Sequence, residues 1–152
     1  MGRVKEASTP MAHEHTLAII KPDAVERGLT EPIIKELEEA GFTIVALERV
    51  ELTKAQTEAF YHVHRERPFF DSLTSYVSSG PSVAMVLEKD GAIQALRQLM
   101  GATDPSQAAP GTIRARWGES IERNVIHGSD GPETASEEVA FFFNELERKG
   151  RQ

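Results

Sequence analysis

A chain of 152 residues, 39% hydrophobic and 27% charged, is long enough for one well-cored globular domain and too short for two of ordinary size. It contains no cysteine, which excludes disulfides, thiolate metal sites and a cysteine nucleophile and makes a cytoplasmic location the default expectation. The formal charge of −7 argues against a broad basic face, so no dedicated nucleic-acid site is expected and an anionic ligand would need locally gathered cations.

The opening MGRVKEASTPMAHEH lacks the apolar stretch of a signal peptide. Residues 1–12 read as a leader, disordered or added during cloning, with the natural start expected near Met11. The domain is expected over 13–147, with a short tail over 148–152. The apolar runs LAII, VAMVL and AFFF fall far below the ~18 residues of a membrane span, so no membrane partner is expected.

HTLAIIK (15–21) predicts a buried strand that ends in a turn over KPDAVERG, leaving Lys21 at the strand's end. Thr30 precedes EPIIKELEEAG, where Ile33, Ile34, Leu37 and Ala40 recur at helical spacing and Gly41 supplies a stop. FTIVALERVEL (42–52) alternates as a strand, and Thr53 with Gln56 has the pattern of a capping box for a helix running through Ala59, Phe60 and Val63. A shorter helix over FFDSLTSYVSSG leads to PSVAMVLEK, an apolar run expected as a central strand.

GAIQALRQLMG puts Ala92, Ile93, Leu96, Leu99 and Met100 on one helical face and Arg97 on another, with Gly101 at the C-terminal end. Residues 101–118 have little periodicity beyond a short helical turn near their end, and long irregular loops in compact domains are usually functional or disordered. NVIHG predicts a short strand with Val125 and His127 on one side. Thr134 with Glu137 is expected to cap a last helix whose inner face is Val139, Phe142, Phe143 and Leu146. The order predicts an α+β, single-domain, ferredoxin-like (βαββαβ) sandwich, a four-stranded antiparallel sheet with helices on one face. That fold hosts enzymes, regulatory ligand binders and RNA binders alike.

His127 has two readings: a histidine satisfying a turn, or a nucleophile. A neutral imidazole attacks phosphorus without strong activation, and Ser129 or Glu138 could engage one ring nitrogen while the other stays open. Lys21, Arg97 and Arg114 come from three separate segments and, if those converge, suit one polyphosphate; singly, each reads as a solvated side chain. Thr103 and Thr112 offer hydroxyls to the same ligand or to their own loop. Tyr61, Phe69 and Phe70 flank HVHRERP and are either core residues or a surface on which a base stacks. Asn124 suits a sugar or phosphate, or a turn. His62 and His64, two apart on a predicted helix, do not share a face, and His13 and His15 have no role beyond structure, so no protein-held metal is expected. The chain has neither a GxxxxGK(S/T) loop nor the protein-kinase motif set.

Taken together, IIKPDAVERGL (19–29), FYHVHRERPFF (60–70), SGPSVAMVLE (79–88), the GATDP and PGTIRARWG loop, and NVIHGSD (124–130) closely resemble the nucleoside diphosphate kinase family, in register over residues 13–147. The resemblance implies reversible transfer of the γ-phosphoryl group from a nucleoside triphosphate such as ATP to a nucleoside diphosphate, by a ping-pong route through a phosphohistidine on His127. It also implies that Glu138 and Ser129 orient the imidazole. Lys21, Tyr61, Arg97, Thr103 and Arg114 match the phosphate-side groups, Asn124 the sugar and phosphate side, Phe69 the base stack, and Leu73 and Ile121 the apolar lining around the base. Magnesium, Mg2+, would be held mainly by the nucleotide's phosphates. A homo-oligomer, tetramer or hexamer built from dimers, is implied as well, with Ala109-Pro110-Gly111 resembling a segment that packs between subunits. Asp104 departs from the family's usual asparagine, which adds an acid near the phosphate side and is expected to alter the loop's hydrogen bonding. A non-catalytic ferredoxin-like nucleotide sensor and a histidine phosphocarrier of a signalling relay are the alternatives, and the identity of the phosphoryl acceptor separates them.

Overall fold

The computed structural model describes residues 14–143, so the leader, His13, Leu146 and the tail lie outside the described residues. Strand β1 (Glu14–Ile20) is followed by helices α1 (Pro22–Glu26) and α2 (Thr30–Glu39), strand β2 (Thr43–Val50), helices α3 (Lys54–Phe60) and α4 (Phe70–Val77), and strand β3 (Ser82–Lys89). Helix α5 (Ala92–Met100), helix α6 (Ile113–Trp117), strand β4 (Ile126–Gly128) and helix α7 (Pro132–Phe142) complete the order. The strands lie in the order β2-β3-β1-β4, and every neighbouring pair is antiparallel. This is the expected ferredoxin-like sandwich.

The sheet differs from expectation in being covered on both faces. The period-2 geometry of β1 sends Ala18 and Ile20 one way, where β3 adds Val83, Met85 and Leu87 and the helices add Ile33, Leu37, Leu96 and Met100. Leu17 and Ile19 point the other way, with Val86, and meet Val139 of α7, Phe60 and Phe142. Both central strands are therefore almost wholly buried, and each large apolar side chain so enclosed stabilises the fold by about 1.5–3 kcal/mol. β2, at the edge, is largely exposed and carries a register shift between Ile44 and Ala46.

Several local expectations are corrected. KPDAV is not a bare turn: Lys21 is the extended N-cap of α1, and Pro22 takes the first helical position, where a missing N–H costs nothing. Five residues are too few to show a period. Thr30 lies inside α2, whose N-cap is Leu29. The Thr53–Gln56 capping box is present, but α3 stops at Phe60 and Val63, in the 3-10 turn His62–His64, is 79% exposed. Gly131, not Thr134, is the N-cap of α7, with Pro132 again first in the helix. Val125 and His127 do not share a side. Val125 has φ of 81°, which breaks the alternation and turns it into the same core as Ile126.

Candidate active site

β4 is the innermost support of the site. It pairs with β1 through Ile19 opposite His127, and its other side rests on α5 at Gly128, where a Cβ would meet Met100 Cε at 2.9 Å and Leu96 Cδ2 at 3.0 Å. A side chain after the histidine would thus have to displace the ends of Met100 and Leu96. His127 itself faces a cleft of about 920 Å3, within the size range of small-molecule sites. One wall is α3 and the segment after it, and the other is the loop between α5 and β4.

The imidazole is held from the far side by α7. His127 Nε2 lies 2.9 Å from Glu138 Oε1, and Ser129 Oγ donates to the same oxygen at 2.8 Å. Ser129 is fully buried and tied to β1, accepting from Leu17 N and donating its own N–H to Leu17 O. A carboxylate only accepts, so Nε2 carries the proton in this pair and Nδ1 keeps its lone pair. The rings of Phe60 and Tyr61 stand edge-on to the imidazole at centroid distances of 5.4 and 6.1 Å. Burial, and secondarily Glu138, raises the Tyr61 phenol above its ordinary pKa and keeps it a proton donor.

The three cations do converge on this cleft, with Thr103 and Asn124 beside them. Lys21 Nζ donates to Asn124 Oδ1 at 2.8 Å and to Glu122 O at 3.3 Å, and Asn124 Nδ2 donates to Thr103 O at 2.9 Å. Burial, aided by Arg114, lowers Lys21 to about 8 against the opposing charges of Asp23 and Glu122. Arg114 is buried as well. Its guanidinium donates to the carbonyls of Asn124, Gly101 and Ile126, at 3.3, 3.0 and 2.6 Å. It therefore shapes the loop in addition to charging the cleft, and burial with Arg97 lowers it only to about 10, so it stays cationic at neutral pH. Arg97 is half-exposed and paired with Asp130 at 2.8 Å.

At the mouth, Phe69 is 45% exposed and Ile121 60%, with Leu73 in the same lining. The Phe69 ring lies 5.6 Å from that of His64, and the Arg67 guanidinium 5.9 Å from its centroid. Phe70 is not part of the cleft; it packs with Tyr76 and Val77. Thr112 is not part of it either, and accepts from Ala115 N as the N-cap of α6. Asp104 is turned to its own loop, accepting from Ser106 N at 3.0 Å and Ser106 Oγ at 2.8 Å. The acid that departs from the family pattern is thereby occupied as a cap.

Sequence reasoning missed Phe60, Thr134, Glu137 and Phe141, which also line the cleft. Phe60 carried the helical-spacing signal of a core residue; it is partly buried against Leu17, Ile19, Val86 and Val139 and also meets the His127 ring. Among the described residues no group of three or more His, Asp or Glu is placed to hold a metal. His62 and His64 sit together in the 3-10 turn, and His15 pairs with Glu88 on the surface. No helix among the described residues is long and apolar enough to cross a membrane.

A family model described as nucleoside diphosphate kinase matches residues 14–148. A nucleoside diphosphate kinase of Desulfatibacillum aliphaticivorans is 58% identical over 137 residues, covering 90% of this chain and 99% of that protein. One from Ruegeria sp. (strain TM1040) is 56% identical over 140 residues, 92% of this chain and all of that protein. Among solved structures, the Aquifex aeolicus nucleoside diphosphate kinase superposes with a TM-score of 0.87 at 46% identity, over 90% of this chain and 99% of that one. A halophilic nucleoside diphosphate kinase from Halobacterium salinarum in complex with CDP gives 0.85 at 42%, over 89% and 90%.

Proposed function

The chain belongs to the nucleoside diphosphate kinase family, and from that premise we propose that His127 is the nucleophile through which it moves a phosphoryl group between nucleotides. The family's reaction is a phosphotransfer, from a nucleoside triphosphate to a nucleoside diphosphate. The observation that carries the reading is the pair formed by His127 Nε2 and Glu138 Oε1 at 2.9 Å on the floor of a cleft whose wall holds Lys21, Arg97 and Arg114.

The steps follow from that arrangement. The Nδ1 lone pair attacks the γ-phosphorus; an N–P bond forms as the bond to the β,γ-bridging oxygen breaks, and the nucleoside diphosphate leaves with that electron pair. The Nε2 proton stays in place, its bond to Glu138 stabilising the positive charge that grows on the ring. A second nucleoside diphosphate then enters the same cleft, and its terminal β-phosphate oxygen takes the group back in the reverse of the first step. One cleft serves both half-reactions, so the kinetics are ping-pong. Lys21, Arg97, Arg114 and the Tyr61 hydroxyl stabilise charge on the transferring group, while Thr103 and Asn124 align the phosphates and sugar. Phe69 supplies a stacking face that every base can use, with Leu73 and Ile121 around it.

The family generally requires a divalent cation. We take it to be Mg2+, and a donor set rich in cations and without a carboxylate cage fits a metal carried in on the substrate's phosphates. When bound there it neutralises phosphate charge. A cytoplasmic location and an assembly of tetramers or hexamers built from dimers, using Ala109-Pro110-Gly111 between subunits, are part of the same proposal.

The test is intact mass after incubation with ATP and Mg2+ and removal of nucleotide, followed by addition of GDP, with His127→Ala alongside. The expected result is one added phosphoryl group, lost to GDP as GTP and absent from the variant. An adduct that GDP does not discharge would identify a relay phosphocarrier instead, and nucleotide binding without any adduct would identify a sensor.

A further inference from the structure

Residue 125 is the one described non-glycine position with positive φ, at 81°, and it is a valine. Ile126 N donates to Asn124 O at 2.9 Å across it, which makes residues 124–126 a γ-turn of the strained, positive-φ kind. A β-branched residue there is a genuine conformational outlier and persists only where its surroundings over-determine it. The turn sits between Asn124 and His127, the two site residues on this segment, so whatever holds it sets the direction of both.

Both polar backbone groups of Val125 are held by the segment that follows β1. Lys21 N donates to Val125 O at 2.8 Å, and Val125 N donates to Asp23 Oδ2 at 3.1 Å. The other carboxylate oxygen, Asp23 Oδ1, accepts from the Tyr76 hydroxyl, which itself accepts from Asp23 N at 2.7 Å. Asp23 and Tyr76 are both buried, and the Arg123 guanidinium lies 4.5 Å from the centre of the tyrosine ring. Burial, then the bond to Asp23, raises the Tyr76 phenol well above its ordinary pKa, so it remains a donor across the working pH range. None of these groups lines the cleft except Lys21. A buried, doubly bonded carboxylate that does not itself line the cleft needs a reason beyond its charge on Lys21.

We propose that Asp23 and Tyr76 form a latch that holds the strained turn at Val125 and thereby positions His127 for phosphoryl transfer. Both are positioning residues, acting through the backbone of residues 124–126. The inference rests on the reading of His127 as the nucleophile. It explains the acid after Lys21-Pro22: Pro22 starts α1 and Asp23 meets Val125 N just before β4, while Lys21 goes on to Asn124 on the phosphate side.

The measurement is the single-turnover rate of His127 phosphorylation at saturating ATP and Mg2+, by rapid quench, in wild type, Asp23→Ala, Tyr76→Phe, and each of these combined with Val125→Gly. The rate constant is independent of the fraction of folded enzyme, which appears in the amplitude. Asp23→Ala and Tyr76→Phe should lower the rate by about 10-fold or more, the scale on which small misplacements act. Glycine adopts positive φ without strain, so Val125→Gly should remove most of that loss in both backgrounds. Wild-type rate constants with reduced amplitude, or a loss that Val125→Gly leaves intact, would overturn the latch. If Asp23→Ala does not fold, Tyr76→Phe, which keeps the ring, decides the matter. A wild-type protein that never becomes phosphorylated would overturn the nucleophile and the latch together, an outcome distinct from unaffected variants.

Discussion

Glu138 Oε1 accepts two hydrogen bonds at once, from His127 Nε2 at 2.9 Å and from Ser129 Oγ at 2.8 Å, and so joins the middle of α7 to the centre of β4 and to the residue that follows it. A single carboxylate oxygen thus fixes the imidazole's tautomer, its plane and the charge behind it. These contributions can be separated. Glu138→Gln keeps an acceptor but removes the charge, and Ser129→Ala keeps the charge but frees the carboxylate to rotate.

Glu138→Gln should slow His127 phosphorylation by about 100-fold, within the range usual for a positioned proton-holding group, with ADP affinity nearly unchanged. Ser129→Ala should have the smaller effect, because Glu138 retains its bond to the ring. Rapid-quench rates set against calorimetric ADP affinities make the comparison. Equal losses in affinity and rate would mean that Glu138 acts on the nucleotide and not on the imidazole.

Phe69 stands half-exposed at the mouth, with His64 and Arg67 near its ring. Stacking on such a ring is worth about 1–3 kcal/mol and depends little on base identity. Phe69→Ala should therefore weaken ADP, GDP and CDP by similar factors while leaving the phosphorylation rate at saturation near wild type. Titrations with the three diphosphates check it. Selective loss of one nucleotide would show that base edges are being read instead.

The fold was legible because β1 and β3 are apolar on both sides and the helices carry clear stripes, as in Ile33 with Leu37 and Leu96 with Met100. The covering of both sheet faces was not, since Leu17, Ile19 and Val86 announce a second covered face only once Phe60 and Val139 are seen to meet them. At the site, the named cleft groups were legible through motif spacing and family resemblance. The Asp23–Tyr76–Val125 linkage was not, because it joins residues 53 and 102 positions apart and turns on a backbone angle that valine does not advertise. Asp104, which the family comparison marks as a change in loop hydrogen bonding as well as an added acid, caps its own loop through Ser106.

Lys21 gives the site a pH signature. The residue is 6% exposed and, chiefly through burial, has its pKa lowered from 10.5 to about 8. An anionic phosphate favours the protonated form, so kcat/KM, which reports the free enzyme, should fall as pH rises above about 8, by up to about tenfold per unit. Stability carries the opposite sign. Between about 8 and 10.5 the unfolded chain binds more protons than the folded one, so the folded state gains as pH rises through that window, while below 8 the cost of burying the charge is fully present. Urea unfolding of wild type and Lys21→Met at pH 7.5 and pH 10.5 compares the buried lysine with a variant that lacks its charge. Wild type should gain on the variant by about 3 kcal/mol over that interval. Parallel pH dependences would mean that Lys21 keeps an ordinary pKa in the fold, and the alkaline fall in kcat/KM would then have to come from another group.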